Sequence, residues 1–330
     1  MTTGSASERD WSAWVEEVRK QHPLAGSAYN AKRQTLIASR PGKDDGPHLP
    51  PGIVLLGEVH DNPTHHQLRA WLIALAARKQ REWLPAVVFE QIRADQQPAL
   101  ERFKALVEAG GGTTDELFTL LEWDKSGWPP AQIYKPLFEA VLASKLPIHA
   151  GEPPKGQVRS IARGGLTSLP PEERLRLRLD ERMPAPLCDA LHKKLADGHC
   201  GLLPADAIEG MAAAQRYRDA HLADALLSAV ELYRDPLNSW KMTTPPAQAI
   251  LIAGNGHVRS DRGVPWHLRL RSPGKLVTIW MMVEVEEGKT DPEAYVPRDP
   301  EGKPAADILI FTPRAERADP CEAMRKMKRP

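Results

Sequence analysis

Three runs of consecutive apolar residues, Ile53–Leu56, Ala86–Phe89 and Ala249–Ala253, limit what this chain can fold into more than any other feature. A strand with one wet face alternates apolar with polar side chains. A run with no alternation is buried on both faces, as happens in a parallel sheet covered by helices above and below. A fourth, weaker run, Leu146–Ala150, is followed by Gly151 and Glu152. The intervals are long and helical in pattern, so strand and helix alternate, which points to layered α/β architecture.

Trp11, Trp14, Val15 and Val18 recur at helical spacing and predict a helix over 10–21. Asp61-Asn62 supplies a cap and Pro63 a first helical residue, opening a helix to about Arg81. Further helices are predicted near 95–109, 114–122 and 131–144. Residues 155–234 are almost entirely helical in pattern, interrupted at Pro170-Pro171, Pro184 and Pro186. Two last strands are predicted over Lys275–Val285 and Ala306–Thr312, with a polar, frayed tail from Arg314. The expected fold is α/β: a three-layer, mostly parallel sheet flanked by helices, with a helical insertion at about 155–234. Residues 1–24 read as an N-terminal helix and extension, 25–322 as the α/β domain and 323–330 as a frayed tail.

With 330 residues, 42% of them apolar, the chain can bury a sizeable core. Its formal net charge of +1, with both signs interspersed, gives no reason to expect nucleic acid as a partner. Cys188, Cys200 and Cys321 are far apart and show no C-x-x-C spacing. Neither a disulfide framework nor a zinc ribbon is expected, and a reducing compartment is the simpler reading. No apolar run reaches the roughly 18 residues needed to cross a bilayer, so no transmembrane segment is expected. The first residues hold no apolar signal segment and no lipobox-like cysteine, and the expected localisation is cytoplasmic.

Two of the apolar runs end alike, in Gly57-Glu58-Val59-His60 and in Gly254-Asn255-Gly256-His257. Ligands of α/β sheets bind at the carboxyl ends of strands, where both motifs fall. Glu58 and His60 are two apart in a near-extended segment, so their side chains point the same way. Glu90 leaves the second run at the same edge. Glu58, His60, Glu90 and His257 are therefore expected to share one crevice. They would either hold a divalent metal such as zinc, manganese or cobalt, or work on water as an acid/base set. The glycines are expected to let the backbone approach a ligand closely. His65 and His66 fall in a first helical turn, whose positive end favours neutral imidazole; His66 is a candidate ligand, and His65 reads more as a solvated residue.

On the long helix predicted from about Ala205 to Tyr233, Met211, Gln215, Asp219 and Leu222 form one stripe. Gln215 and Asp219 are polar exceptions on an apolar face and need partners, which the strand-edge crevice is placed to supply. Asp124, with Trp123, the Gly127-Trp128-Pro129 turn and Tyr134, reads either as an aromatic lid or as core packing. His199-Cys200 lacks a second close ligand pair and reads as structural.

Taken together, Gly57–His66, Glu90 with Asp95–Leu100, Trp123-Asp124 and Gly127-Trp128, His199-Cys200-Gly201, Gln215 with Arg218-Asp219, Gly254–Pro265 and Phe311–Arg314 resemble the ChaN family. The resemblance covers roughly residues 25–322. That family is described as haem-binding and iron-regulated, in a superfamily shared with the Tiki proteases and erythromycin esterases. The resemblance implies a three-layer α/β fold with a helical subdomain and a role linked to haem or iron, the iron taking an axial Tyr or His. Tyrosine ligation is associated with the family, and Tyr29, Tyr134, Tyr217, Tyr233 and Tyr295 are the tyrosines present. In the Tiki relatives two Gly-X-X-His motifs and a glutamate are regarded as a metal-dependent hydrolytic site; Gly57–His60, Gly254–His257 and Glu90 match those positions. Gly151-Glu152-Pro153 stands where an Ala-Asn-Leu-like segment is expected, so that wall of the site is expected to differ.

Two functions compete. The leading expectation is a haem-binding protein linked to iron uptake or handling, with Tyr134, His66, Gln215 and Asp219 as cofactor-binding residues. The alternative is a metal-dependent hydrolase of peptidase or esterase type, with Glu58, His60, Glu90 and His257 as both catalytic and metal-holding residues. The expected partner is haem or a small molecule or peptide, with a homodimer left open.

Overall fold

The computed structural model describes residues 11–37, 49–79, 85–232 and 249–327. Helix α1 (Trp11–Gln21) precedes two short strands, β1 (Ala28–Asn30) and β2 (Thr35–Ile37), then β3 (Ile53–Glu58), α2 (Pro63–Lys79) and β4 (Ala86–Arg93). Helices α3 (Gln97–Glu108), α4 (Thr114–Leu120) and α5 (Ala131–Ala143) lead to β5 (Ile148–Glu152). Helices α6 (Lys155–Gly164), α7 (Pro171–Leu177), α8 (Ala185–Gly198) and α9 (Ala205–Leu232) form the helical insertion. The chain continues through β6 (Ala249–Gly254), α10 (Val264–Arg271), β7 (Val277–Glu284), β8 (Ile308–Thr312) and α11 (Pro320–Met327).

The eight strands form one sheet in the order β2-β1-β8-β7-β3-β6-β4-β5. Neighbours from β8 to β5 are parallel, while β1 runs antiparallel to β8 and to β2. The three apolar runs are thus adjacent, with β6 between β3 and β4. Glu58 lies opposite Gly254, and Phe89, just before Glu90, opposite Ile252. This register brings both motifs and Glu90 to one level at the carboxyl edge.

Every residue of β3 and β6 is buried. Val54, Leu56, Val87, Phe89, Ile250 and Ile252 pack into a core with residues of α2 and α5, such as Leu72 and Phe138. Ile53, Leu55, Val88 and Leu251 pack on the other face with Leu222 and Leu226 of α9 and Leu268 of α10. Burying each such side chain contributes about 1.5–3 kcal/mol, which is why runs without alternation settle in the middle layer. Two faces with a helical layer on each give the three-layer α/β fold expected from the sequence.

Asn62, rather than Asp61, caps α2: its Oδ1 accepts the Thr64 N–H at 2.9 Å, and Pro63 follows as the first helical residue. In the insertion, Ile161, Leu177 and Tyr217 build a small core of their own. Helix α9 contributes Tyr217 there and Leu222 and Leu226 to the main core, so one helix serves both. The α6 and α9 backbones cross closely at Gly210, where a Cβ would collide with the Ala162 carbonyl.

Several expectations need correction. β4 continues to Arg93, so Glu90 lies within a strand rather than beyond it. The antiparallel β1 and β2 were not anticipated; with three residues each they carry too little pattern to read. The segment from Arg314, expected to fray, is held. Ala315 N–H donates to Glu284 Oε1 at 3.0 Å, Arg317 pairs with Glu284 at 2.6 Å and with Asp61 at 2.8 Å, and α11 follows. Against the expectation of reduced thiols, Cys200 and Cys321 form a disulfide, with Cα atoms 5.7 Å apart and a separation of 121 positions in the sequence. Spacing arguments detect neighbours along the chain, and this pair is brought together by the fold. Cys188 is a free thiol. Among the described residues no helix is long and apolar enough to cross a membrane.

Candidate ligand site at the carboxyl edge of the sheet

Glu58, the last residue of β3, is buried and fully engaged. Its Oε1 accepts from His60 Nδ1 at 2.8 Å and from Gln91 Nε2 at 3.0 Å, and its Oε2 pairs with the buried guanidinium of Arg69 from α2. Burial works against the Glu58 charge, but Arg69 foremost outweighs it and keeps the carboxyl below its ordinary range.

His60 therefore has Nδ1 fixed, and its Nε2 stands 4.0 Å from Glu90 Oε1. Its side chain is 36% exposed, and the Trp128 ring meets it edge-on at 4.9 Å. Burial disfavours a charged ring here, yet Glu90 and Glu58 outweigh it and raise the His60 pKa.

Glu90 receives three donors: Gly254 N–H on Oε2 at 2.7 Å, and on Oε1 Arg218 Nη2 at 2.8 Å and His257 Nε2 at 3.1 Å. Burial opposes its charge, but His257 and His60 overcome this and hold it well below the ordinary carboxylate range. His257 points its other nitrogen, Nδ1, at Asp219 Oδ1, 2.6 Å away. Burial would strip its proton, but Glu90 and Asp219 hold the pKa up to about 10, so the ring is an imidazolium at neutral pH. Gln215 donates to Asp219 Oδ2 at 3.3 Å, and Arg218 reaches Glu152 at 2.5 Å through Nε. The polar exceptions on the α9 stripe, Gln215 and Asp219, do find their partner at the sheet edge, and it is His257.

The structure brings Glu58, His60, Glu90 and His257 into one cluster at the carboxyl edge of the sheet. Among the described residues no group of three or more His, Cys, Asp or Glu side chains is disposed to hold a metal ion. The donors are spent on one another: both nitrogens of His257 face carboxylates, and Glu58 and Glu90 already accept from Arg69 and Arg218. The four residues expected as a metal set, His60, His257, Glu58 and Glu90, are joined here by ion pairs and hydrogen bonds.

His66 and Tyr134, expected to contact a cofactor, lie beneath the crevice with no exposed surface. His66 Nε2 donates to the His60 carbonyl at 2.9 Å, its Nδ1 accepts from Arg69 at 2.7 Å, and Tyr134 packs on its ring at 3.9 Å. His65 is not solvated either: its Nδ1 accepts the Val59 N–H at 2.9 Å and its Nε2 donates to Thr312 at 2.7 Å. Burial lowers these pKa values to about 3 for His65 and about 4 for His66, so both stay neutral and brace the turn that presents His60.

Two of the motif glycines, Gly57 and Gly254, stand against neighbouring side chains, while a Cβ at Gly256 would meet open space. A Cβ at Gly254 would stand 2.8 Å from His60 Nε2, and one at Gly57 would strike the Asn255 side chain. Of the residues read as an aromatic lid or as core packing, Trp123 is core, its Nε1–H bonded to the Pro129 carbonyl at 3.0 Å, and Trp128 meets His60. His199 Nδ1 donates to Leu195 O at 2.8 Å, in keeping with a structural role.

Sequence reasoning did not place Arg69, Gln91 or Arg218 in the site. Arg69 lies eleven positions beyond Glu58, and only its place on the inner face of α2 could have marked it.

A family profile described as "Haem-binding uptake, Tiki superfamily, ChaN" matches residues 51–268. A solved structure describing cofacial haem binding to ChaN of Campylobacter jejuni aligns with 86% of this chain and 95% of its own, at 17% identity and a TM-score of 0.59, a likeness of fold. An erythromycin esterase, EreC in its open conformation, aligns with 82% of this chain and 92% of its own, at 13% identity and a TM-score of 0.42. Comparison with the sequences of curated proteins finds no match.

Proposed function

We propose, since this chain belongs to the haem-binding uptake ChaN family of the Tiki superfamily, that it binds haem at the carboxyl edge of its sheet, with His60 as the residue that meets the iron. A place in iron uptake or handling goes with that reading. The observation that carries it is the state of the four histidines. His65 and His66 are closed off, and His257 has both nitrogens on carboxylates. Of the four, His60 alone combines a fixed Nδ1 with a partly exposed ring.

The donor set fits haem through histidine. An imidazole whose Nδ1–H is held by a carboxylate would have Nε2 left to hold the iron, and Trp128 lies edge-on beside it. Among the described tyrosines, Tyr29, Tyr134 and Tyr217 are buried, and the Tyr295 hydroxyl is taken by Glu286 and Lys289 backbone. Tyr233 lies outside the described residues. Haem, when bound, supplies the iron centre. Glu58, fixed by Arg69 and Gln91, keeps the Nδ1 proton of His60, and His66 anchors the His60 carbonyl.

Titration with hemin is expected to give a saturable Soret shift at micromolar protein, and its stoichiometry separates one haem per chain from a stacked pair. His60→Ala should abolish the shift while leaving the melting temperature unchanged. If no saturable shift appears, the haem reading fails; if the shift survives His60→Ala, the ligand lies elsewhere.

A specific geometry supports a second reading, acid/base hydrolysis of a small ester or amide. His60 backed by Glu58 has the arrangement of a general base, taking a proton from water at Nε2 as the oxygen adds to the carbonyl. His257 and Arg218 supply positive charge nearby. Absence of turnover across an ester and amide panel, or turnover unchanged in Glu58→Gln, would eliminate it.

The Cys200–Cys321 bridge supports an oxidising compartment over the cytoplasmic one expected from the sequence, because such bonds persist where thiols are not kept reduced.

A further inference from the structure

Beyond β8 the chain forms a strap that joins the two walls of the crevice. At its start the Pro313 carbonyl accepts from Asn62 Nδ2 at 3.1 Å, and Arg317 pairs with Asp61 at 2.8 Å and Glu284 at 2.6 Å. Asp61 and Asn62 directly follow His60 in the sequence. At its far end Asp319 Oδ1 accepts the Cys321 N–H at 2.9 Å, and Cys321 is bonded to Cys200 in the turn between α8 and α9. Helix α9 then carries Gln215, Arg218 and Asp219, which hold His257 and Glu90. One covalent bond therefore ties the wall that presents His60 to the wall that fixes its counter-charges.

We propose that the Cys200–Cys321 bond is a redox latch on this crevice: oxidised, it holds the strap between the two walls, and opened by a dithiol it frees α11 and widens access to His60. The exchange is balanced. A dithiol thiolate attacks one sulfur to give a mixed disulfide, and its second thiol closes the reductant's own disulfide. Cys200 and Cys321 leave as two thiols with the two electrons and two protons it gives up. Of the contacts that then remain, the Arg317–Asp61 pair is partly exposed, at 23% and 45%, and adds little, so the Arg317–Glu284 pair and the Asn62–Pro313 bond hold the start of the strap while α11 is freed.

The test is the rate at which diethylpyrocarbonate modifies His60, read by mass spectrometry, in the full chain before and after dithiothreitol and in Cys321→Ser. His192 on α8, whose side chain is as open as that of His60, serves as the internal reference. The latch predicts a rise of about tenfold at His60 in both opened forms, with His192 and the buried His65, His66 and His257 unchanged, as for a local rather than a global opening. Arg317→Ala, with the bond intact, should stay within about twofold of wild type. Equal His60 rates in oxidised and opened protein overturn the proposal. So does a rise shared by the buried histidines, which marks unfolding, or three reactive thiols in untreated protein. None of these readings depends on haem.

Discussion

Replacing His257 with glutamine removes the charge that sits between Glu90 and Asp219, and the effect must depend on pH in one direction. The His257 pKa is about 10 in the folded protein against an ordinary 6.5. A raised folded pKa means that the folded state holds the proton longer. The stabilisation is therefore whole below about pH 6.5 and is lost as the pH climbs through about 10. That interval is about three and a half pH units, each worth about 1.4 kcal/mol, which sets a ceiling of about 5 kcal/mol. Total stability of a folded domain is of order 5–15 kcal/mol, so the effect is large enough to read. Lysines and tyrosines also titrate in this range, so the informative quantity is the difference between wild type and His257→Gln in urea unfolding at each pH. The gap should be widest near pH 6.5 and shrink by several kcal/mol towards pH 10. A gap that stays constant across this range would refute the placement of an imidazolium between two carboxylates.

Glu58→Gln leaves the buried Arg69 without its counter-charge and should cost about 3–5 kcal/mol in chemical unfolding; a loss under about 1 kcal/mol contradicts the buried pair. Gly254→Ala places a methyl 2.8 Å from His60 Nε2, and because that ring is partly exposed it can swing away. Stability should change by less than about 1 kcal/mol while hemin affinity falls about tenfold or more, and unaltered affinity would dissociate His60 from binding. Gly210→Ala drives a Cβ into the Ala162 carbonyl, where both sides are backbone. It should cost about 1–3 kcal/mol and speed hydrogen exchange in α6 and α9, and unchanged exchange there would count against the close helix crossing.

The fold was legible where burial leaves a one-dimensional trace. Ile53–Leu56 and Ala249–Ala253 read as strands wet on neither face because β3 and β6 occupy the centre of a covered sheet. The site was legible where a polar residue breaks such a trace: Glu58 and Glu90 at the sheet edge, Gln215 and Asp219 on an otherwise apolar helix stripe. What the sequence concealed were the partners. Arg69 and Arg218 sit in helices where an arginine ordinarily means a solvated face, and only the packed structure turns them inward. His66 and Tyr134, expected to reach a ligand, lie buried against each other, with His66 held by Arg69 and the His60 carbonyl. The two bonded cysteines carry no local signal at all.

The position of β6 also governs how the molecule can be assembled during synthesis. β3 ends at Glu58 and β4 begins at Ala86, yet the two do not touch, because the strand that joins them begins only at Ala249. Until that strand emerges, the nascent chain carries two strand edges that face each other across an empty slot and are open to wrong partners. Neither the crevice nor the middle layer can exist in a chain cut short before it. The long-range pairing makes this a slow-folding topology that profits from protection while the helical insertion is being made.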